Sequence, residues 1–182
     1  MSEKYKFHDP DELYFITTTV VYFIDLFTRP AFKHIIVDSL RHCQQHKGLV
    51  VYAWCLMPSH LHAVVSRQGT ATLAEIMRDF KKYTSKQIIA TLPQINESRS
   101  DWLLRAFARA AAPKQRIQNY KVWQDGTHPI ELHNATILRQ KLHYIHDNPV
   151  VAEIVDEAED YLYSSARDYA GRPGLLPVEM AC

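Results

Sequence analysis

The chain has 182 residues, is 47% hydrophobic and 23% charged, and carries a net charge of +1 at pH 7. This is the balance of a single soluble globular domain with a real core, and no apolar stretch approaches the roughly 18 residues that span a bilayer. Near-neutral charge excludes a polybasic nucleic-acid binder, so any basic surface must be local.

Cys43, Cys55 and Cys182 are far apart and odd in number, which fits neither a zinc pattern nor a disulfide framework. The polar opening MSEKYKFHDP is not a signal peptide. The expected location is therefore the reducing cytoplasm. All of 1–182 is expected to form one domain, with 150–182 a C-terminal extension packed on it.

In chain order, LYFITTTVVYF (13–23) is rich in aromatic and β-branched residues and predicts a strand. Thr28 and then Pro30 mark a helix start. Phe32, Ile35, Ile36, Leu40 and Cys43 follow at helical spacing until Gly48. LVVYAWCLM (49–57) is a continuous apolar run and predicts a buried strand. Pro58-Ser59 is a turn, and HLHAVVS (60–66) returns as the second strand of a hairpin. Thr72 and Glu75 make a capping-box pattern. Leu73, Ile76, Met77, Phe80 and Thr84 then line one helix face, with Arg78, Lys82 and Lys86 on another. PQINESRS (93–100) is a connection, and WLLRAFARAAA (102–112) predicts a helix ended by Pro113. VWQDGTHPIEL (122–132) has an Asp125-Gly126 turn between two short strand candidates. Asn134 caps a helix to about 147, and Pro149 disfavours helix at Asn148, so the helix is expected to end there. SSARDYA is a short helix candidate in the tail.

The order β-α-β-β-α, an extra helix, a strand or hairpin and another helix predicts an α+β fold. The expected form is a ferredoxin-like antiparallel sheet with helices on one face, plus extra C-terminal helices.

In MPSHLHAVV, strand alternation puts Leu61, Ala63 and Val65 on one face and His60 and His62 together on the other. Two imidazoles about 7 Å apart at Cβ can converge on one divalent cation. Two polar residues on a solvated sheet face would give the same pattern. In KLHYIHDNPVV, Leu138, Leu142 and Ile145 form the buried stripe of a helix. Lys141, Tyr144 and Asn148 share a flank beside it. Asn148 offers an oxygen ligand to a metal held by the histidines, and Tyr144 a phenol aimed at whatever that metal polarises. From this helix alone, a boundary tyrosine and a C-terminal asparagine before proline is the better reading.

Five segments in order resemble the single-tyrosine HUH transposases, most closely the REP-associated tyrosine transposase branch. They are MPSHLHAVV, MRDFKKYTSKQI, VWQDGTHPIEL, LHYIHDNPVVAEIV and EDYLYSSARDYAG. The resemblance covers about 13 to 171. It implies an HUH endonuclease core that cuts and rejoins single-stranded DNA hairpins in a bacterial, nucleoid-associated setting, as a monomer or homodimer. By position, His60 and His62 match its metal-binding pair, Tyr144 its nucleophile and Asn148 its third ligand, with Mg²⁺ or Mn²⁺ as the implied ion. The chain departs from the family where arginine and glycine often follow Asn-Pro: here Val150-Val151-Ala152-Glu153 stand. It departs again where Trp-Ser-Ser is common, with Tyr163-Ser164-Ser165 in its place.

The expected reaction is a metal-assisted transesterification through a covalent 5′-phosphotyrosine at Tyr144. The alternative is a domesticated protein that binds DNA hairpins without cleaving them. A relaxase or replication-initiator nuclease shares the histidine pair but matches the NPV and SSA segments less well. Tyr83, on the basic helix, is the rival nucleophile. Arg78, Lys81, Lys82 and Lys86 form one expected DNA-binding cluster, and Arg105, Arg109, Lys114 and Arg116 a second. Lys141 is a further candidate contact. Tyr120 and Trp123 are candidates for base stacking, Trp123 equally for the core.

Overall fold

The computed structural model describes residues 7, 9, 12–112 and 119–181. Four strands form one sheet: β1 (Tyr14–Thr19), β2 (Leu49–Leu56), β3 (His60–Arg67) and β4 (Ile130–Glu131). Their order is β2-β3-β1-β4, every neighbour antiparallel. Helix α1 (Pro30–Lys47) joins β1 to β2, and α2 (Leu73–Thr91) follows β3. This is the ferredoxin-like arrangement. Helix α3 (Ser100–Ala111) is inserted before β4, and α4 (Ala135–Val151) and the short α5 (Ala166–Tyr169) come after it. Among the described residues, no helix is long and apolar enough to cross a membrane.

The local signals act as the sequence suggests in the first half of the chain. Pro30 opens α1, where its missing N–H costs nothing. Gly48 ends α1 at φ 72°. A Cβ on Gly48 would meet the Gln68 carbonyl oxygen at 1.8 Å, so the β2–β3 sheet edge closes on this position. Thr72 and Glu75 form the complete capping box of α2. Phe32, Ile36 and Leu40 of α1 and Ile76, Met77 and Phe80 of α2 are buried in one core with Ile16, Leu61, Ala63 and Val65 of the sheet. Helix α4 covers the other sheet face through Tyr144, which packs on Phe15 and His62.

Three predicted elements differ. The strand expected at 13–23 ends at Thr19; Val21–Phe23 is a tight turn in which Tyr22 and Phe23 take φ of 58° and 53°. Of the strand or hairpin expected at 122–132, the strand forms as β4 and the hairpin does not. Both of its halves pair with β1 instead: Val20 bridges Trp123, Gln124 N–H donates to the Thr19 carbonyl, and Thr17 N–H to that of Thr127. Beyond this irregular stretch the chain reaches β4, and β1 thereby has its outer edge satisfied along most of its length. Helix α4 runs through Pro149 to Val151 rather than ending before it. Pro149 removes one helix N–H but is buried, and Ala152 N–H still reaches the Asn148 carbonyl.

The tail covers the remaining edge. Leu56 N–H donates to the Tyr163 carbonyl and Ser165 N–H to that of Trp54, around a bridge between Cys55 and Ser164. Further on, Glu179 N–H donates to the Val51 carbonyl. Cys43 and Cys55 are buried free thiols, and Cys182 lies outside the described residues.

Candidate active site

The β1–β3 register places Thr17 opposite His62 and Thr19 opposite His60. Alternation therefore puts Phe15, Thr17 and Thr19 on the same face as the two histidines. The His60 and His62 rings converge to 4.6 Å between centroids. Phe15 stacks on His62 at 5.3 Å. Each imidazole is held from behind by a hydroxyl: Thr17 Oγ1 is 2.9 Å from His62 Nδ1, and Ser59 Oγ is 3.0 Å from His60 Nδ1. This leaves both Nε2 atoms as the outward nitrogens.

Burial pushes the His62 imidazole down to about 3, helped by the neighbouring charges of His60 and Lys141. Burial lowers His60 as well, with Asp25 opposing the shift. Both rings are thus neutral at neutral pH, the form that ligates a cation. A hydroxyl accepting from Nδ1–H would fix the tautomer that offers Nε2. Among the described residues, no group of three or more His, Cys, Asp or Glu side chains is placed to hold a metal ion. A cation at the histidine pair therefore needs a donor of another type.

Helix α4 brings Tyr144 to the pair, with its hydroxyl 3.4 Å from His62 Nε2. The Tyr144 ring is nearly half exposed although three of its neighbours are rings or a cation. Lys141 sets its ammonium 4.6 Å from the Phe15 ring centroid and 5.5 Å from that of Tyr144. Asn148 donates its amide N–H to the Tyr144 carbonyl at 2.8 Å, which leaves the carboxamide oxygen as its free acceptor. Two imidazoles and a carboxamide oxygen are donor types able to hold a divalent cation.

The remaining basic candidates divide. Arg78, Lys82 and Lys86 are exposed on α2, beside an open groove that α2 lines together with α1 and 119–127. Arg78 is paired with Asp79 at 3.1 Å. Lys81 points the other way and donates to the Gln124 and Gly126 carbonyls, both at 2.6 Å. It closes the irregular stretch that replaces the expected hairpin. Arg105 and Arg109 are exposed on α3. Lys114 and Arg116 lie outside the described residues. Trp123 is core: it is 3% exposed and its indole N–H donates to Thr84. Tyr83 is exposed on α2, on the far side of the sheet from the histidines.

Thr17, Phe15 and Ser59 were not singled out by sequence. Ser59 precedes the histidine motif, so proximity could have flagged it. Thr17 and Phe15 could be found only by knowing the β1–β3 register.

The family model described as "Transposase IS200 like" matches residues 14–120. No curated protein matches the chain. Among solved structures, the REP-associated tyrosine transposase bound to a REP hairpin is similar in fold, with a TM-score of 0.59 and 21% identity. That similarity covers 100% of this chain and 92% of the other. A proposed transposase from Deinococcus radiodurans R1 gives a TM-score of 0.44 and 12% identity over 81% of this chain and 97% of that one.

Proposed function

The chain belongs to the IS200-like transposase family, and from that premise we propose that it is a single-stranded DNA endonuclease and strand transferase acting on hairpins. The observation that carries this reading is the Tyr144 hydroxyl, 3.4 Å from the outward nitrogen of His62, whose inner nitrogen is tied to Thr17. A nucleophile, a fixed ligand pair and a neighbouring cation meet at one point on one chain.

In the proposed reaction the Tyr144 oxygen attacks the phosphorus of the scissile phosphodiester. An O–P bond to tyrosine forms as the bond to the 3′-oxygen breaks. The phenol loses its proton and the 3′-oxygen leaves as a hydroxyl. The product is a 5′-phosphotyrosine that conserves the phosphodiester for rejoining. Free tyrosine titrates near 10, so the phenolate needs help at neutral pH. Lys141, poised over the ring, stabilises the developing negative charge. His60, His62 and Asn148 would hold a Mg²⁺ or Mn²⁺ ion, which when bound supplies Lewis-acid polarisation of the phosphate. Arg78, Lys82 and Lys86 of α2, and Arg105 and Arg109 of α3, would contact phosphates away from the scissile one. Lys81, occupied by two carbonyls, would act by shaping the 124–126 turn.

The test is a denaturing gel of the protein with labelled single-stranded hairpins drawn from repeats beside its own gene, in Mg²⁺ or Mn²⁺ and in EDTA. The expected result is a covalent adduct that requires metal and disappears in Tyr144→Phe, while hairpin affinity stays within about twofold. Hairpin binding with no adduct under any metal would instead identify a domesticated binder. An adduct mapped to Tyr83 would overturn the assignment of the nucleophile.

A further inference from the structure

Directly after β1, Tyr22 and Phe23 are both exposed, at 58% and 69%, and both sit in the left-handed region. Two consecutive non-glycine residues in that region hold a strained backbone. A chain satisfied only by packing would not hold two large aromatic rings in water on such a backbone. Here the turn is imposed from both sides. Val20 N–H donates to the Ser59 carbonyl, Val21 N–H to that of Val122, and Phe27 N–H to that of Pro58. Arg99 adds bonds to the Asp25 carbonyl and the Thr28 hydroxyl.

Opposite this turn stands α3. Its buried face carries Leu103, Phe107 and Ala111. Its outer face carries Trp102, Arg105, Ala106 and Arg109, one or two turns apart. Trp102 is 49% exposed. Tyr22, Ile24, Trp102, Arg105, Ala106 and Arg109 line a half-open cavity of about 410 Å³, within the range of small-ligand sites. Its lining combines two exposed aromatic rings, the buried Ile24 and two guanidinium groups.

The cavity lies beyond the end of β1 that pairs with His60. Thr19 is the register partner of His60, and Tyr22 follows three residues later, its Cα at most about 11 Å from that of Thr19. Asp25, in the same turn, is close enough for its charge to act on His60.

We propose that the Tyr22–Trp102 cavity is a stacking subsite for an unpaired DNA base a few nucleotides from the scissile phosphate, with Arg105 and Arg109 on the adjoining phosphates. The inference rests on the strand-transferase reading and deepens it. It gives the single-stranded flank of the hairpin its own place on the protein, apart from the stem. Aromatic rings accept any base by its π-face, and guanidinium groups track the backbone. A free apolar ligand would leave both arginines without a role. A peptide would have no reason to sit beside the phosphodiester chemistry.

The test compares three fluorescent DNA hairpins with one stem, in EDTA so that no cleavage intervenes: blunt, with an oligothymidine flank on the 5′ side, and with one on the 3′ side. Wild-type protein is expected to prefer a flanked hairpin. Trp102→Ala and Tyr22→Ala are each expected to weaken flanked binding by roughly 5- to 100-fold and leave blunt binding unchanged. In wild type the flanked hairpin should quench tryptophan emission, and Trp102→Phe should abolish that change, since Trp54 and Trp123 are buried. Equal losses on blunt and flanked hairpins, or no quenching of Trp102 in the wild-type protein, would overturn the subsite. Adduct formation with no flank effect sinks the subsite alone; a flank effect with no adduct sinks the nuclease alone.

Discussion

At the scale of single residues, the site depends on groups behind the ones that do chemistry. Thr17 does not reach the space in front of the histidines, yet its hydroxyl is the partner of His62 Nδ1. Replacing it with valine keeps the volume and removes the acceptor. The ring can then turn or take the other tautomer, and the outward nitrogen is no longer fixed. Loss of such an orienting partner typically costs 10- to 100-fold in metal affinity. Thr17→Val is therefore expected to raise the metal concentration for half-maximal adduct formation by roughly that factor. Thr17→Ser should restore most of it, and unchanged metal dependence in Thr17→Val would remove Thr17 from the site. The ligand types point to a choice of ion as well. Two imidazoles and a single carboxamide oxygen suit Mn²⁺ better than Mg²⁺, which prefers an all-oxygen shell. Titration of adduct formation should show half-saturation at lower Mn²⁺ than Mg²⁺; the reverse order would argue that the imidazoles do not ligate. How much of this was legible in the sequence follows from range. His60 and His62 are two apart in one strand, and Lys141, Tyr144 and Asn148 share one helix flank, so local periodicity grouped each set. That the sets meet, and that Thr17 and Phe15 complete them, depends on pairing across more than forty residues, which no local pattern carries.

At the scale of elements, helices were legible where their ends carry their own chemistry. Pro30, Gly48 and the Thr72–Glu75 box set the limits of α1 and α2 because each acts through its immediate neighbours. The 122–132 stretch was misread for the opposite reason. Asp125-Gly126 is a sound hairpin turn, but β1 offers a longer edge to pair with, and Lys81 satisfies the carbonyls at the kink. The end of α4 was misplaced because proline's restriction on the preceding Asn148 was weighed without the burial that Pro149 gains. Gly48 makes an element-scale prediction. Any side chain there must adopt a left-handed backbone and displace the Gln68 carbonyl, which is backbone and cannot simply rotate away. Gly48→Ala is expected to lower stability by about 2–3 kcal/mol, seen as a lower urea midpoint with the slope unchanged. A change below about 0.5 kcal/mol would show that the β2–β3 edge yields at this point.

At the scale of the whole molecule, the inserted segment carrying α3 must be fastened to the ferredoxin-like core if its outer face is to serve the site. Glu97 does this. Its side chain is 1% exposed and receives Arg99 through both oxygens at 3.1 Å and Arg29 at 3.4 Å. Arg99 in turn holds the Asp25 carbonyl and Thr28. One carboxylate thus joins the turn after β1, the start of α1 and the start of α3. The Arg99 hydrogen bonds are the largest cause holding the Glu97 carboxyl down to about 2, well below the ordinary glutamate range, with Arg29 adding to them. A depressed folded-state value means that the stabilisation is present at neutral pH and is lost as pH falls from about 4.5 towards 2, where the folded protein too must take up the proton. Both arginines are partly in solvent, at 49% and 35%, so the worth of the network is discounted to about 2 kcal/mol. Urea unfolding of wild type should accordingly lose about 2 kcal/mol more between pH 6 and pH 2 than Glu97→Gln loses over the same interval. At pH 6 the variant itself should be less stable, because two arginines are left facing a neutral amide. Parallel pH profiles for the two proteins would show that the carboxylate is not the fastening, and that α3 is held by its apolar face alone.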